Sequence, residues 1–227
     1  MSTVFLTIDD VPQKVAVPIV DFLLEKGITP IMFAVGRDAE DKPDILQYIL
    51  KKGIVVGNHS YTHPDFSSLT WEQCIEEIEK TEEILNRAYE QAGVERTYKL
   101  FRFPYLNKGG VHKEKLQKYL REHGFIKLDD SEVTNELYVA LGNDKEVDVS
   151  CSYDVEEYNI RPGVKTMGYV LDKMRFSENS NIFTDEGKHI VLFHAHDATD
   201  AEEPEYYKTI IEYMLRHGVV FEKPKFN

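Results

Sequence analysis

Val4-Phe5-Leu6-Thr7-Ile8-Asp9-Asp10 is the stretch that decides the fold. Val4–Thr7 is apolar or β-branched throughout and runs into two aspartates, which predicts a strand buried on both faces with acids at its carboxyl end. The same pattern recurs outward from it. Val15, Ile19, Phe22 and Leu23 follow at helical spacing, with Gly27 as a stop. Ile31–Val35 is a second apolar run ending at Gly36, and Ile45–Leu50 a short helix before Gly53. Ile54-Val55-Val56 then leads into Gly57-Asn58-His59. Trp71–Ala92 is the clearest helix, with Thr70 and Gln73 spaced as a capping box and Cys74, Ile78, Leu85 and Ala88 on one stripe. Further on, strands are expected at Lys99–Phe103, Phe125–Leu128, Val147–Ser152, Ile190–His194 and Val219–Glu222. Helices are expected at Lys113–His123, Val164–Met174 and Glu205–His217.

Seven or eight strand-then-helix units result, with no internal repeat, linker or low-complexity tract. Such alternation implies a mostly parallel sheet, either closed into a barrel or open and doubly wound. The 227 residues are expected to form a single domain spanning 1–227. Hydrophobic residues are 42% and charged residues 30%, a globular balance that excludes disorder as the main state. The net charge of −13 argues against nucleic acid or an anionic membrane as partner, since both need clustered positive charge. Cys74 and Cys151 make no disulfide framework and are expected as free thiols. No apolar run is long enough to span a bilayer, so no integral membrane segment is expected. Met1-Ser2-Thr3 leads straight into the first strand without the basic and apolar regions of a signal peptide. The expectation is a cytoplasmic protein, unless an upstream segment is missing.

Sites in parallel α/β folds collect at the carboxyl ends of the strands. Five of those ends carry acid, base or metal-ligand types: Asp9 and Asp10; His59 and His63; Arg102 and Tyr105; Asp154 and Glu157; His194, His196 and Asp197. Each has a plain reading. Asp9-Asp10 could cap a helix beginning near Pro12, and Arg102 could pair with any surface acid. Tyr61, Phe66, Trp71, Tyr105 and Tyr158 could line a sugar groove or fill the core. Taken together, one aspartate and two histidines make an open site for a hydrolytic divalent ion. Zinc is the expected ion, and cobalt or another late divalent would also suit the donors. A second carboxylate could take a proton from water, and a distant histidine could give one to a leaving amine. That set of parts hydrolyses an amide or ester.

Thr7-Ile8-Asp9-Asp10, His59-Ser60-Tyr61-Thr62-His63, Arg102-Phe103-Pro104-Tyr105, Asp154-Val155-Glu156-Glu157-Tyr158 and Leu192-Phe193-His194 resemble, in order, the five motifs of the NodB-type polysaccharide deacetylases, carbohydrate esterase family 4. Those motifs are written TFDD, H(S/T)xxH, RxPY, DxxDW and LxH. The resemblance implies a distorted (β/α)7–8 barrel. It implies Asp10, His59 and His63 as metal ligands, Asp9 as general base and Arg102 as its orienting partner. It implies the backbone N–H of Tyr105 as an oxyanion donor and His194 as general acid. An acid between Asp154 and Glu157, taken as Asp154, would brace Arg102 or His194. The implied substrate is an N-acetylated amino sugar, and the products acetate and a free amine. Val11 stands where the family usually has Gly, and Glu157-Tyr158 where it has Asp-Trp. His196-Asp197 offers a rival register for the acid, with His194 preferred because Leu192 precedes it by two. A small non-sugar amide as substrate, and a carbohydrate-binding protein without turnover, are the rival functions.

Overall fold

β1 (Thr3–Val11) has interior neighbours on both faces, and every later element is placed relative to it. The computed structural model describes residues 2–176, 182–183 and 187–227. After β1 come α1 (Ala16–Glu25), β2 (Ile31–Ala34), α2 (Gly36–Asp41), α3 (Pro43–Lys51), β3 (Val55–Asn58), α4 (Trp71–Ala92) and α5 (Lys113–Glu122). Then follow α6 (Glu136–Ala140), β4 (Tyr153–Asp154), α7 (Met167–Phe176), β5 (Lys188–His194), α8 (Asp197–Glu202), α9 (Tyr206–Arg216) and β6 (Val220–Phe221). The sheet order is β3-β2-β1-β5-β4, all parallel, with β6 beside the first residues of β1.

Period-two alternation sorts the apolar side chains into two layers. Leu6, Ile8, Met32, Val56, Val191 and Phe193 pack outward under the helices. Phe5, Ile31, Phe33, Leu100, Val149 and Ile190 pack together on the inner side. An inner cluster of this kind exists because the sheet curls round on itself. Two extended stretches complete the ring. Arg102 N donates to Asn58 O at 3.0 Å, Val149 N to Phe101 O at 2.8 Å, and Ser152 N to Ile190 O at 2.9 Å. The fold is a distorted (β/α) barrel.

Three expected strands shrink to single bridges or isolated hydrogen bonds. Lys99–Phe103 keeps one bridge, Phe101 to Asn58. Val147–Ser152 cannot run as a regular ladder, because the guanidinium of Arg102 takes two of its carbonyls, Val149 O at 2.8 Å and Ser150 O at 3.3 Å. Phe125–Leu128 makes isolated contacts, Ile126 N on Lys99 O, Asn227 N on Lys127 O, and a single bridge from Leu128 to Phe226. The long helix α4 has the expected bounds and its capping box, with Thr70 N on Gln73 Oε1 at 2.9 Å and Gln73 N on Thr70 Oγ1 at 3.3 Å. The short helices α2, α6 and α8 carry too few turns to show a period. Both cysteines are free thiols. Among the described residues no helix is long and apolar enough to cross a membrane.

Gly57 shows how tightly the inner layer meets the site. A Cβ there would stand 2.8 Å from Phe33 Cε1 and 2.9 Å from Leu100 Cβ. Gly57→Ala is therefore expected to destabilise the fold by about 1–3 kcal/mol through overpacking, read as a lower urea midpoint at unchanged slope. An unchanged midpoint would mean the barrel interior yields more easily than these contacts imply.

Candidate active site

Successive residues of a strand point to opposite faces, so Asp9 and Asp10 should not share a pocket. They do so because the ladder between β1 and β2 slips between Ile8 and Val11, a bulge that re-aims one side chain. Asp10 takes the left-handed conformation there, φ +62°. Aspartate tolerates that region better than a β-branched residue does. Val11 therefore keeps an ordinary place in β1, fully buried in the outer layer, and its branching does not obstruct the turn. The capping alternative fails: α1 has no side-chain cap, and Val15 N is met by Asp197 Oδ1 at 2.8 Å. Asp197, the first residue of α8, thereby ties that helix to the start of α1.

Parallel register brings the other strand ends to the same rim. Asp9 stands opposite His194, and Ala34 opposite Asn58, next to His59. Asp9 is 2% exposed. Its Oδ1 accepts from Arg102 Nη1 at 2.8 Å. Arg102 is wholly buried and also donates to Thr7 Oγ1 at 2.8 Å, with its guanidinium 4.5 Å above the Phe33 ring. Asp9 keeps Oδ2 turned to the cleft, 3.4 Å from His59 Nε2.

His59 pairs its Nδ1 with the carbonyl of Arg102 at 2.8 Å. An N–H at Nδ1 leaves the Nε2 lone pair free to face the cleft. Nε2 of His59 and of His63 lie 3.8 Å and 3.5 Å from Asp10 Oδ1. The loop between the two histidines is strained and pinned. Ser60 and His63 have φ of +66° and +57°, and the carboxylate of Glu77 accepts from Tyr61 N at 2.8 Å and Thr62 N at 2.7 Å. Ser60 N donates to Asn58 Oδ1 at 2.8 Å. Strain held by surrounding bonds in this way collects at functional sites.

The donors of Asp10, His59 and His63 lie within 4.8 Å of one another. Donors on a tetrahedral ion with bonds of about 2.0–2.2 Å stand roughly 3.3–3.6 Å apart, so the cluster is close to a coordination shell. The ionisation states suit it too. Burial works against the Asp10 carboxylate. The hydrogen bond from His196 and the charges of His59, His194 and His63 outweigh it and hold Asp10 well below the usual carboxylate range. Burial first, and then the charge of His59, lower His63, which favours the neutral imidazole that a metal needs.

Opposite this cluster stands His194. Glu157 Oε1 accepts from His194 N at 2.5 Å and lies 3.1 Å from its Nδ1. Burial disfavours the imidazolium, but Glu157, Asp154 and Asp10 outweigh it and push His194 up to about 10. Within the expected span Asp154 to Glu157 it is Glu157 that hydrogen-bonds His194, while Asp154 Oδ1 accepts from Glu156 N at 2.9 Å and its carboxylate stays within 4.8 Å of a His194 ring nitrogen. Asp154 lies in the cleft wall, where burial pushes it up to about 6. Arg102 is braced by Asp9, Thr7 and backbone carbonyls. Tyr105 has φ +56°, and its ring meets that of His63 edge-on at 4.6 Å. His196, the rival acid, lies across the site with Nε2 2.6 Å from Asp10 Oδ2.

Of the aromatics, Tyr105 and Tyr158 line the cleft, Tyr158 at 4.8 Å from the His194 ring. Phe66 is core, Trp71 packs on His112 and Tyr119, and Tyr61 reaches Glu40. The cleft holds about 320 Å³. Beside it a second hollow of about 510 Å³ shares Leu106 and Asp154 and is walled by Leu137, Leu141 and Lys173. Thr7, Glu77 and Asn58 were missed as supports of the site. Thr7 had a signal in its place before the acid pair, whereas Glu77 arrives from α4 and no spacing marks it.

The family model described as polysaccharide deacetylase matches residues 1–126. A peptidoglycan-N-acetylglucosamine deacetylase of Bacillus cereus is 39% identical over 87 residues, 38% of this chain and 32% of that protein. A chitooligosaccharide deacetylase of Sinorhizobium fredii is 33% identical over 104 residues, 45% of this chain and 46% of that protein. In both cases the match spans less than half of the relative's length. A family 4 carbohydrate esterase from Streptomyces lividans, solved with acetate, superposes with a TM-score of 0.63 at 21% identity. It covers 97% of this chain and 92% of that one.

Proposed function

Because this chain belongs to the polysaccharide deacetylase family, we propose that it is, as one catalytic unit, a metal-dependent hydrolase of N-acetylated amino sugars. The products would be acetate and the free amine. The observation that carries this reading is the meeting of Asp10, His59 and His63 within 4.8 Å of one another, in a cleft that also holds Asp9 and His194. Asp10, His59 and His63 would hold a divalent cation, zinc by the chemistry of the donors. Once bound, the cation supplies Lewis acidity to an acetamide carbonyl and acidity to a water.

The chain's own residues do the rest. Asp9 Oδ2 accepts the proton of the attacking water as its oxygen bonds to the acetyl carbon, while Arg102 keeps the carboxylate turned toward the cleft. The backbone N–H of Tyr105 is the donor for the developing oxyanion, preset by the stiff Phe103-Pro104 segment. His194 then delivers its proton to the sugar nitrogen as the C–N bond breaks, so the amine leaves neutral. Glu157 holds the His194 ring in place. The hollow beyond Leu106 gives room for whatever the sugar is attached to. Acetate release from N-acetylglucosamine, its oligomers and lipid-linked amino sugars tests the proposal, and no release from any of them would refute it.

The charge on Glu157 sets a pH signature. With the His194 pKa raised, its acid form persists through neutrality and is lost as pH climbs through the raised value. Glu157→Gln removes the largest raising influence and leaves burial, which lowers, opposed only by the smaller raising charges of Asp154 and Asp10. The alkaline limb of kcat/KM is expected to move to lower pH, and an unmoved limb would detach Glu157 from the acid.

A further inference from the structure

His196 enters the site from the loop after β5, and the chemistry above gives it no task. Its Nε2 is 2.6 Å from Asp10 Oδ2, whereas His59 and His63 face the other oxygen, Oδ1, at 3.8 Å and 3.5 Å. The two oxygens of one carboxylate thus have separate partners. A separation of 2.6 Å is a hydrogen-bond length, and is shorter than the roughly 3.3 Å between two donors on one ion. His196 therefore sits as a neighbour of the carboxylate and not as a fourth donor. Its backbone is held in place. His196 N donates to the hydroxyl of Tyr206 at 3.1 Å, and that hydroxyl donates to His194 O at 2.6 Å. Tyr206 is fully buried, so the loop is anchored in the core. Position 196 lies outside the residues that the family model matches.

We propose that His196 is a positioning residue for the cation site. Its imidazole donates Nε2–H to Asp10 Oδ2 and so holds Asp10 with Oδ1 alone turned toward His59 and His63. The free carboxylate could otherwise rotate or offer both oxygens. Fixing it sets the number of donors and keeps a coordination position for water. The inference rests on Asp10, His59 and His63 forming the cation site. Outer partners that orient a ligand are typically worth about 10–100-fold in metal affinity.

The test uses the chelator-stripped 227-residue chain, with Zn²⁺ titrated against a chromogenic chelator and the visible spectrum recorded with Co²⁺. His196→Ala is expected to weaken Zn²⁺ binding tenfold or more and to alter the cobalt bands, while the metal-free protein melts as the parent does. His196→Gln, whose amide can still donate, is expected to recover most of the affinity and the parent spectrum. Unchanged affinity and cobalt spectrum in His196→Ala would overturn the proposal. So would a Gln variant as weak as the Ala variant, which would make the imidazole an electron-pair donor to the ion. A parent protein that binds neither ion would fail differently, by removing the cation site itself.

Discussion

Asp9→Asn is expected to lower kcat by about 10²–10⁴-fold, the range set by losing a positioned base. Asparagine has nearly the same shape and can still accept from Arg102 Nη1, but it cannot take a proton from water. Cation affinity should stay near the parent value, because the proposed ligands are Asp10, His59 and His63, whose donors lie within 4.8 Å of one another. The buried charge of Arg102 loses its counter-ion, although Thr7 Oγ1 and the carbonyls of Val149 and Ser150 remain as acceptors. Steady-state kinetics with a zinc titration on the same preparation decide the point. Turnover within a few-fold of the parent would remove Asp9 as the base, and loss of zinc together with turnover would make it a ligand.

Arg102→Leu should show its effect in stability before it shows in catalysis. The guanidinium is fully buried, donates to Asp9, Thr7, Val149 and Ser150, and ties the first strand to the irregular arc that closes the barrel. Leucine fills part of the volume but leaves the Asp9 carboxylate in the interior without its partner. Removing one member of a buried pair costs about 3–5 kcal/mol, and that loss is expected in urea unfolding. Arg102→Lys should recover only part of it, since an ammonium cannot reproduce the planar fork. A loss below about 1 kcal/mol would mean that water reaches this pair.

The legible parts of this chain were local. The capping box at Thr70 and Gln73, the stops at Gly27 and Gly53, and the apolar run of the first strand each depend on neighbours a few residues away. Period and cap chemistry therefore placed α1, α4 and β5 within a few residues. The strands expected near Lys99 and Val147 are reduced to one bridge and isolated hydrogen bonds. Their apolar character is real, but Arg102, distant in sequence from residues 149 and 150, draws those carbonyls out of the ladder. The choice between Asp154 and Glu157 is open in the sequence for a similar reason: both acids fit the motif, and only the path of the backbone shows that Glu157 hydrogen-bonds His194.

Sequence alone determined which residue types stand at which strand ends, because alternation of apolar runs and helices implies parallel strands whose carboxyl ends share a rim. It also picked out the aspartate pair and the two histidines as chemistry to be explained. Tertiary structure decided how they meet. A register slip and a left-handed residue turn Asp9 and Asp10 into one cleft, against the alternation that a regular strand would impose. The pairing of Asp9 with His194 across β1 and β5, and of His196 with Asp10, spans about 185 residues of intervening chain. No local pattern carries such a contact, since hydrogen bonds of that separation exist only once the sheet has closed.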